Sequence, residues 1–130
     1  MASATILVVD DEESVRVFLR KILSMRGFDM VEAGSGAEAL AHLERLGNSV
    51  NLLLTDIRMP GMNGVELARA AAELYPDLPV VYISGYPFDL ESERRLRPKS
   101  TCAFLPKPFL PKALLETVQH CISPPKALHA

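Results

Sequence analysis

The stretch that decides the fold is LLLTDIRMPGMNG, residues 52–64. Its first four residues suit a buried strand, but the apolar run stops at a single aspartate, Asp56. A proline and two glycines follow, and these residues are typical of turns. One strand that ends on an acid is ordinary, so the meaning of Asp56 depends on where the other predicted strands end.

Length and composition predict one globular domain. The chain has 130 residues, of which 48% are hydrophobic and 23% are charged, which is enough apolar material for a single core. Its formal net charge of -2 gives no general attraction for nucleic acid or anionic lipid. The apolar run at residues 6–9 is too short for a signal or membrane segment. We therefore expect a soluble, cytoplasmic domain that binds neither nucleic acid nor membrane directly.

The two cysteines, Cys102 and Cys121, show neither a CxxC motif nor metal-ligand spacing. Both lie in apolar segments, where a cysteine behaves as a small hydrophobic residue. The expectation is that they are core thiols in a reducing cytoplasm.

Short apolar runs alternate along the chain with longer stretches of helical periodicity. Four runs are almost continuously apolar, which predicts strands covered by helices on both faces. A fifth run alternates apolar and polar residues and predicts an edge strand. The continuous runs are residues 5–9 (TILVV), 52–55 (LLLT), 80–83 (VVYI) and 102–105 (CAFL), and the alternating run is residues 28–33 (FDMVEA).

Helix boundaries are also marked. Gly27 is placed to end the first helix, and Pro111 suits the first turn of the last. Asn63 and Glu66 have the spacing of a capping box at the start of the third helix. The fourth helix is expected within residues 89–96.

Five strands alternating with five helices predict an α/β fold with right-handed crossovers and a doubly wound parallel sheet. The common five-strand order for such a chain is 2-1-3-4-5, which opens a crevice at the carboxyl ends of strands 1 and 3. Residues 1–122 are predicted to form the domain, and residues 123–130 a tail or linker stub.

Polar side chains terminate the predicted strands at one edge of this sheet. The strand ends carry Asp10 and Asp11, then Asp56, then Ser84, and the last strand ends just before Lys107. Carboxylates brought together in this way repel one another, so the site needs a cation or must bind protons.

The composition of this edge predicts what it binds. A hard, all-oxygen ligand set is what Mg²⁺ accepts, and no histidine or cysteine joins the cluster to favour zinc. A lysine and a hydroxyl beside the acids suit a group with several anionic oxygens, such as a phosphoryl group.

Four motifs at these strand ends carry a family resemblance. ILVVDDEE, LLTDIRMPGMNG, VVYISGY and FLPKPF resemble the response-regulator receiver domain of bacterial two-component signalling. The resemblance covers essentially the whole chain and implies a flavodoxin-like sheet. The SGY and KPF sequences favour receivers of the hybrid sensor kinase type.

The resemblance implies a role for each acidic position. Asp56 becomes the phosphoacceptor, Asp11 a direct Mg²⁺ ligand and Asp10 its helper through water. Asp56 and the backbone carbonyl of Arg58 would complete the protein ligands of the metal.

The remaining positions are implied to bind the phosphoryl group and to switch. Lys107 would bind the phosphoryl group, Ser84 would be the switch hydroxyl, and Phe104 the switch aromatic. The Lys107–Pro108 peptide would be cis, which proline permits.

The implied function is phosphoacceptance in a two-component phosphorelay. A sensor histidine kinase or a histidine phosphotransfer protein would donate the phosphoryl group, and the domain, not itself an enzyme, would assist its own phosphorylation and dephosphorylation. The surface formed by the fourth helix, the fifth strand and the last helix would then change. Its output partner is not specified by the sequence, and dimerisation on phosphorylation is compatible with the resemblance.

Each motif taken alone has an ordinary structural explanation. Residues 10–13 suit a helix N-terminus, PGMNG suits a simple turn, Phe104 suits a core and Lys107 suits a surface. Independent turn and cap preferences would not by themselves put all of these groups on one sheet edge, so the combination favours a site.

Three other classes of protein are alternatives to this interpretation. A haloacid-dehalogenase-type phosphatase would have a second acid two residues after the nucleophile, where this chain has Arg58. A flavodoxin-like nucleotide binder would need a phosphate-cradling loop after strand 1, whereas DDEE repels phosphate. A receiver-like interaction module that is not regulated by phosphorylation is the alternative that stays open.

Overall fold

The computed structural model describes residues 4–85 and 98–122, which form an α/β domain around one five-stranded parallel sheet. The strand order is β2-β1-β3-β4-β5, which confirms the predicted fold. The predicted fourth helix and the predicted tail lie outside the described residues. In chain order the elements are β1 Thr5–Val9, α1 Glu13–Ser24, β2 Asp29–Ala33, α2 Gly36–Leu46, a 3₁₀ turn Gly47–Ser49, β3 Leu52–Asp56, α3 Gly64–Leu74, β4 Val80–Ser84, β5 Thr101–Pro106 and α4 Pro111–Ile122.

Burial along the strands follows their place in the sheet. Every residue of β3 and β4 is buried, as are the last four of β1, because these strands have a neighbour on each side and helices on each face. The alternating strand β2 lies at one edge, as predicted. β5 was expected to be covered on both faces and is only partly buried; it lies at the other edge, as the predicted strand order requires.

The helix ends confirm the predicted boundary signals. At the start of α3, the Asn63 side chain accepts from the backbone N–H of Glu66, whose carboxylate accepts from the backbone N–H of Asn63, both at 2.9 Å. This capping box satisfies donors that would otherwise be left unpaired at the helix start. Gly27 has a φ of 78°, a conformation that favours glycine, and it follows the end of α1.

Two hydrophobic cores fill the faces of the sheet. On one face, side chains of α1 and α4 pack against strand residues such as Ile6, Leu54 and Ile83. On the other face, α2 and α3 pack against strand residues such as Leu53 and Tyr82. Among residues 4–85 and 98–122, no helix combines the length and apolar character needed to cross a membrane.

The prediction of two separate core thiols is wrong, because Cys102 and Cys121 form a disulfide between β5 and α4. The sheet register explains the contact. Val80 pairs with Thr101 and Val81 with Ala103, so Cys102 is an extra residue in a β-bulge. A bulge re-aims the side chain it carries. Cys102 is exposed rather than buried in the core, and its Cα lies 6.1 Å from that of Cys121, within the usual range for a disulfide.

Candidate functional site

The register of the parallel sheet brings the acidic strand ends together. Val9 of β1 pairs with Thr55 of β3, so Asp10 and Asp56 leave neighbouring strands at the same level. Asp56 in turn pairs with Ile83, which places Ser84 beside it at the end of β4. The predicted convergence of strand ends is therefore present in the fold.

Three carboxylates form a cluster at this edge. One oxygen from each of Asp10, Asp11 and Asp56 lies within 4.8 Å of the others. Asp10 is fully buried and Asp56 is 7% exposed, whereas Asp11 is exposed. The cluster thus runs from the interior to the surface, so that a solvated ligand can reach its outer member.

Lys107 supplies the positive charge that faces the two buried acids. Its Nζ lies 3.6 Å from Asp10 Oδ2 and 3.6 Å from Asp56 Oδ2. The residue is placed by its backbone N–H, which donates to the carbonyl of Ser84 at 2.8 Å. The Lys107–Pro108 peptide that follows is cis. One ammonium group is therefore shared between two carboxylates.

One lysine does not fully offset the negative charges of Asp10 and Asp56, because the pKa values of both carboxyl groups are raised. Burial raises the pKa of Asp56 to about 6, with the nearby Asp10 carboxylate adding to the rise, although Lys107 acts in the opposite direction. Burial also raises the pKa of Asp10, against a hydrogen bond from the backbone N–H of Glu12 and the charge of Lys107. A second cation at this site would favour the ionised forms of both acids.

The residues present fit a divalent cation of the Mg²⁺ type. Asp10 Oδ2 is buried and, among the described residues, no group donates a hydrogen bond to it. The ligand atoms on offer are carboxylate oxygens, which suit a hard cation that retains several waters. The further ligand expected from the backbone carbonyl of Arg58 stays a prediction.

The acidic cluster opens into a cleft of about 500 Å³. Arg58, a long cation two residues after Asp56, is exposed and lines this opening. Asp11 and Glu12 line the same cleft, so its lining carries charges of both signs. The lining residues are Asp11, Glu12, Asp56, Arg58, Gly85 and Lys107.

Ser84 and Phe104 lie where the sequence placed them, on β4 and β5. Ser84 is 1% exposed and ends β4 beside Asp56. Phe104 is half-buried and packs against the core beneath α2 and α3, paired in register with Tyr82. Both side chains are thus close to the strand ends, and their switching roles stay predictions.

Gly64 contributes to the site but was not predicted as a site residue. Its backbone N–H donates to the Ile57 carbonyl at 2.8 Å, which folds the turn back onto the end of β3. A Cβ at this position would overlap the backbone carbonyl of Asp56. The glycine at the end of PGMNG was a visible signal, but the close approach to Asp56 is a tertiary contact.

Comparison with known proteins identifies the family. A model of the response regulator receiver domain matches residues 6–119, so this chain belongs to that family and is a receiver domain of two-component systems. The predicted resemblance is confirmed. Receiver domains generally bind Mg²⁺ at an acidic pocket, and the carboxylate cluster described above could hold a metal ion.

This chain matches very different shares of the lengths of its individual relatives. The sensor kinase CckA of Brucella abortus (strain 2308) is 40% identical over 120 residues, which are 92% of this chain but 13% of that protein. The response regulator receiver protein CpdR of the same strain is 42% identical over 81 residues, which are 62% of this chain and 66% of that protein. The chain therefore spans less than two thirds of either relative.

Solved structures give the same family. The receiver domain of the hybrid histidine kinase CckA superposes with a TM-score of 0.79 at 34% identity, covering 92% of this chain and all (100%) of that one. A response regulator receiver domain protein from Clostridium thermocellum superposes with a TM-score of 0.87 at 26% identity, covering 96% and 98% of the two chains. The similarity thus extends over nearly the whole fold.

Proposed function

We propose that this receiver domain accepts a phosphoryl group on Asp56 in a Mg²⁺-dependent reaction. The donor would be a phosphohistidine of a sensor histidine kinase or of a histidine phosphotransfer protein. The observation that carries the proposal is the position of Lys107 Nζ, 3.6 Å from both Asp10 Oδ2 and Asp56 Oδ2 beside an open cleft. An acid with a cation beside it and solvent access in front of it can act as a nucleophile towards phosphorus.

In this reaction a carboxylate oxygen of Asp56 attacks the phosphorus in line with the leaving nitrogen. An oxygen–phosphorus bond forms and the phosphorus–nitrogen bond breaks, and the released imidazole nitrogen keeps the electron pair. Lys107 is placed to offset charge on the transferring oxygens. Catalysis is mostly positioning and electrostatics, because phosphoryl transfer requires little covalent chemistry from the protein.

Asp11, Asp56 and the Arg58 carbonyl would hold the metal ion directly, and Asp10 would help to hold it through water. When bound, Mg²⁺ supplies positive charge to the phosphoryl oxygens and allows the acids to ionise side by side. Asp10 is fully buried, so its carboxylate would approach the metal ion from the interior of the fold.

The switch is proposed to follow from the new negative charge on Asp56. An aspartyl phosphate adds acceptor oxygens at the end of β3, which would draw the Ser84 hydroxyl inward and leave space for Phe104 to turn. Moving from a mostly inactive to a mostly active population requires roughly 5 kcal/mol of differential stabilisation. A few charge-assisted hydrogen bonds supply energies of this order.

The output surface would include β5, the last helix α4 and the helix predicted within residues 89–96. It would bind a protein partner. We place the domain at residues 1–122, in the cytoplasm. Similarity to both a sensor kinase and a response regulator supports a phosphorelay as its context.

The test is intact-mass spectrometry after incubation with phosphoramidate, a small donor with a phosphorus–nitrogen bond. We expect the wild type to gain the mass of one phosphoryl group with Mg²⁺ present and not with EDTA. Asp56→Asn should gain none, and Lys107→Ala should react about a hundred-fold more slowly because a positioned charge is lost.

Two results would contradict the proposal. A mass gain that persists in Asp56→Asn would place the phosphoryl group elsewhere. No gain in the wild type would leave the alternative of an interaction module that is not regulated by phosphorylation.

A further inference from the structure

Arg16, in the first half of α1, contacts the backbone of Asp10, one of the three clustered acids. Its Nη1 donates to the backbone carbonyl of Asp10 at 2.6 Å. Only 19% of its side chain is exposed, so the guanidinium is held against the domain rather than extended into water. A hydrogen bond from a charged donor is stronger than one from a neutral donor.

The carbonyl that Arg16 holds belongs to the peptide between Asp10 and Asp11. Because a peptide unit is planar, fixing its oxygen also fixes the direction of the Asp11 N–H and limits how the Asp11 Cα can turn. The other side of Asp10 is fixed as well, since its backbone N–H donates to the Ala33 carbonyl at 3.2 Å. Its Oδ1 accepts from the backbone N–H of Glu12 at 2.9 Å. Arg16 therefore completes the restraint of the segment that carries two of the three clustered acids.

The guanidinium of Arg16 is itself anchored. Its Nε lies 3.5 Å from Glu32 Oε1 on β2. The same carboxylate accepts two hydrogen bonds from Arg20, from Nε at 2.6 Å and from Nη2 at 3.2 Å. Glu32 thus orients Arg16, while Arg20 pairs with Glu32 without touching Asp10 in any contact that the described residues make.

We propose that Arg16 is a positioning residue for the divalent cation, acting through the Asp10–Asp11 peptide. This inference rests on the proposed function, since it assumes that the acidic cluster binds Mg²⁺. Groups that orient metal ligands without touching the metal commonly change its affinity ten-fold or more when removed. Arg16 differs from a general surface cation because its contact is a directed hydrogen bond to one carbonyl oxygen.

The test is an NMR titration of ¹⁵N-labelled protein with MgCl₂, following the backbone amide of Asp11. Arg16→Ala should weaken Mg²⁺ binding about ten-fold. Arg16→Lys keeps the charge and one donor but loses the planar fork, so it should lie between Arg16→Ala and the wild type. Arg20→Ala is the matched control, one turn along the same helix, and should stay within about two-fold of the wild type.

A second measurement separates this inference from the proposed function. Without metal, Arg16→Ala should already shift the Asp11 amide resonance, and Arg20→Ala should not. An unmoved Asp11 amide, or equal loss of Mg²⁺ affinity in Arg16→Ala and Arg20→Ala, would overturn the positioning role. A wild type that binds no Mg²⁺ would overturn the proposed function. The change in the Asp11 amide resonance without metal would still test whether Arg16 positions the Asp10–Asp11 peptide. If Arg16→Ala does not fold, an Arg16→Lys variant with wild-type affinity and an unmoved Asp11 amide would overturn it.

Discussion

Two clefts of the same size lie at opposite ends of the sheet, and only one of them resembles a reactive site. The cleft at the carboxyl ends of the strands and the cleft at their amino ends each measure about 500 Å³. The first contains three clustered carboxylates and a lysine between two of them. The second is lined by Asn48, Asn51, Tyr75, Asp77 and neighbouring residues without polar side chains, with Asn51 Oδ1 accepting from the backbone N–H of Thr5 at 2.8 Å. Volume alone therefore does not define the functional end.

The polarity of the parallel sheet accounts for the difference. All the strands end at the same edge, so one polar residue per strand is enough to build a charged cluster there. Such a cluster costs stability, as the raised pKa of Asp56 indicates. The amino end instead carries the disulfide between the start of β5 and the last turn of α4. We expect the disulfide to stabilise the amino end of the sheet, whereas the acidic cluster at the carboxyl end needs bound ligands to stabilise it.

Breaking the disulfide should produce the largest change in stability. Cys102→Ser should lower the free energy of unfolding by about 3 kcal/mol under non-reducing conditions, because the bond closes a loop between cysteines 19 residues apart. Cys102 is exposed, so the serine hydroxyl costs little. Urea unfolding measures the effect, and with a thiol reductant present the variant and wild type should agree. Equal stability without reductant would contradict the stabilising role of the amino end.

Removing the carboxylate of Asp56 should stabilise the metal-free domain. The pKa of Asp56 is raised from 3.8 to about 6, so between these pH values the folded state binds more protons than the unfolded state. Stability is then lost as the pH rises from about 4 to about 6, and the loss persists at neutral pH. Asp56→Asn should be about 2 kcal/mol more stable than wild type at neutral pH in EDTA, with part of the gain offset because Lys107 loses an anionic partner.

Urea unfolding at several pH values measures this difference in the free energy of unfolding, which should vanish at about pH 4. An Asp56→Asn protein that is less stable than wild type at neutral pH in EDTA would show that the acidic end does not cost stability. Added Mg²⁺ should stabilise the wild type more than the variant, because the variant lacks one of the clustered acids.

The smallest effect is expected from an acid at the amino end. Asp77 is exposed and lines the second cleft. Asp77→Asn should change the free energy of unfolding by less than about 0.5 kcal/mol, as is usual for surface positions. Its rate of phosphoryl incorporation from phosphoramidate should stay within about two-fold of wild type. A large loss of incorporation would mean that the two ends of the sheet are coupled.

The fold could be predicted because its signals are local and agree with one another. Continuous apolar runs gave β1, β3 and β4, an alternating run gave the edge strand β2, and the Asn63–Glu66 capping box marked α3. Right-handed crossovers leave few topologies for such an alternation. The positions of Asp10, Asp56 and Lys107 at one edge follow from that topology without knowledge of any side-chain contact.

The disulfide between β5 and α4 was missed because it depends on contacts between distant segments. A bulge in β5 depends on how that strand pairs with β4, and the pairing is set by the packed sheet rather than by residues near Cys102. Sequence spacing likewise does not reveal that Cys121, at the far end of α4, returns to the start of β5.

By itself, the sequence determined the order of strands and helices and the chemistry available at the carboxyl edge, because hydrophobic periodicity and strand-end residues are properties of short segments. The tertiary structure alone decided that Cys102 meets Cys121, that Gly64 lies against the Asp56 carbonyl and that Arg16 holds Asp10. It also decided the pKa of Asp56, which depends on desolvation by surrounding groups. Contacts and burial between distant segments arise only when the chain packs, so no local pattern encodes them.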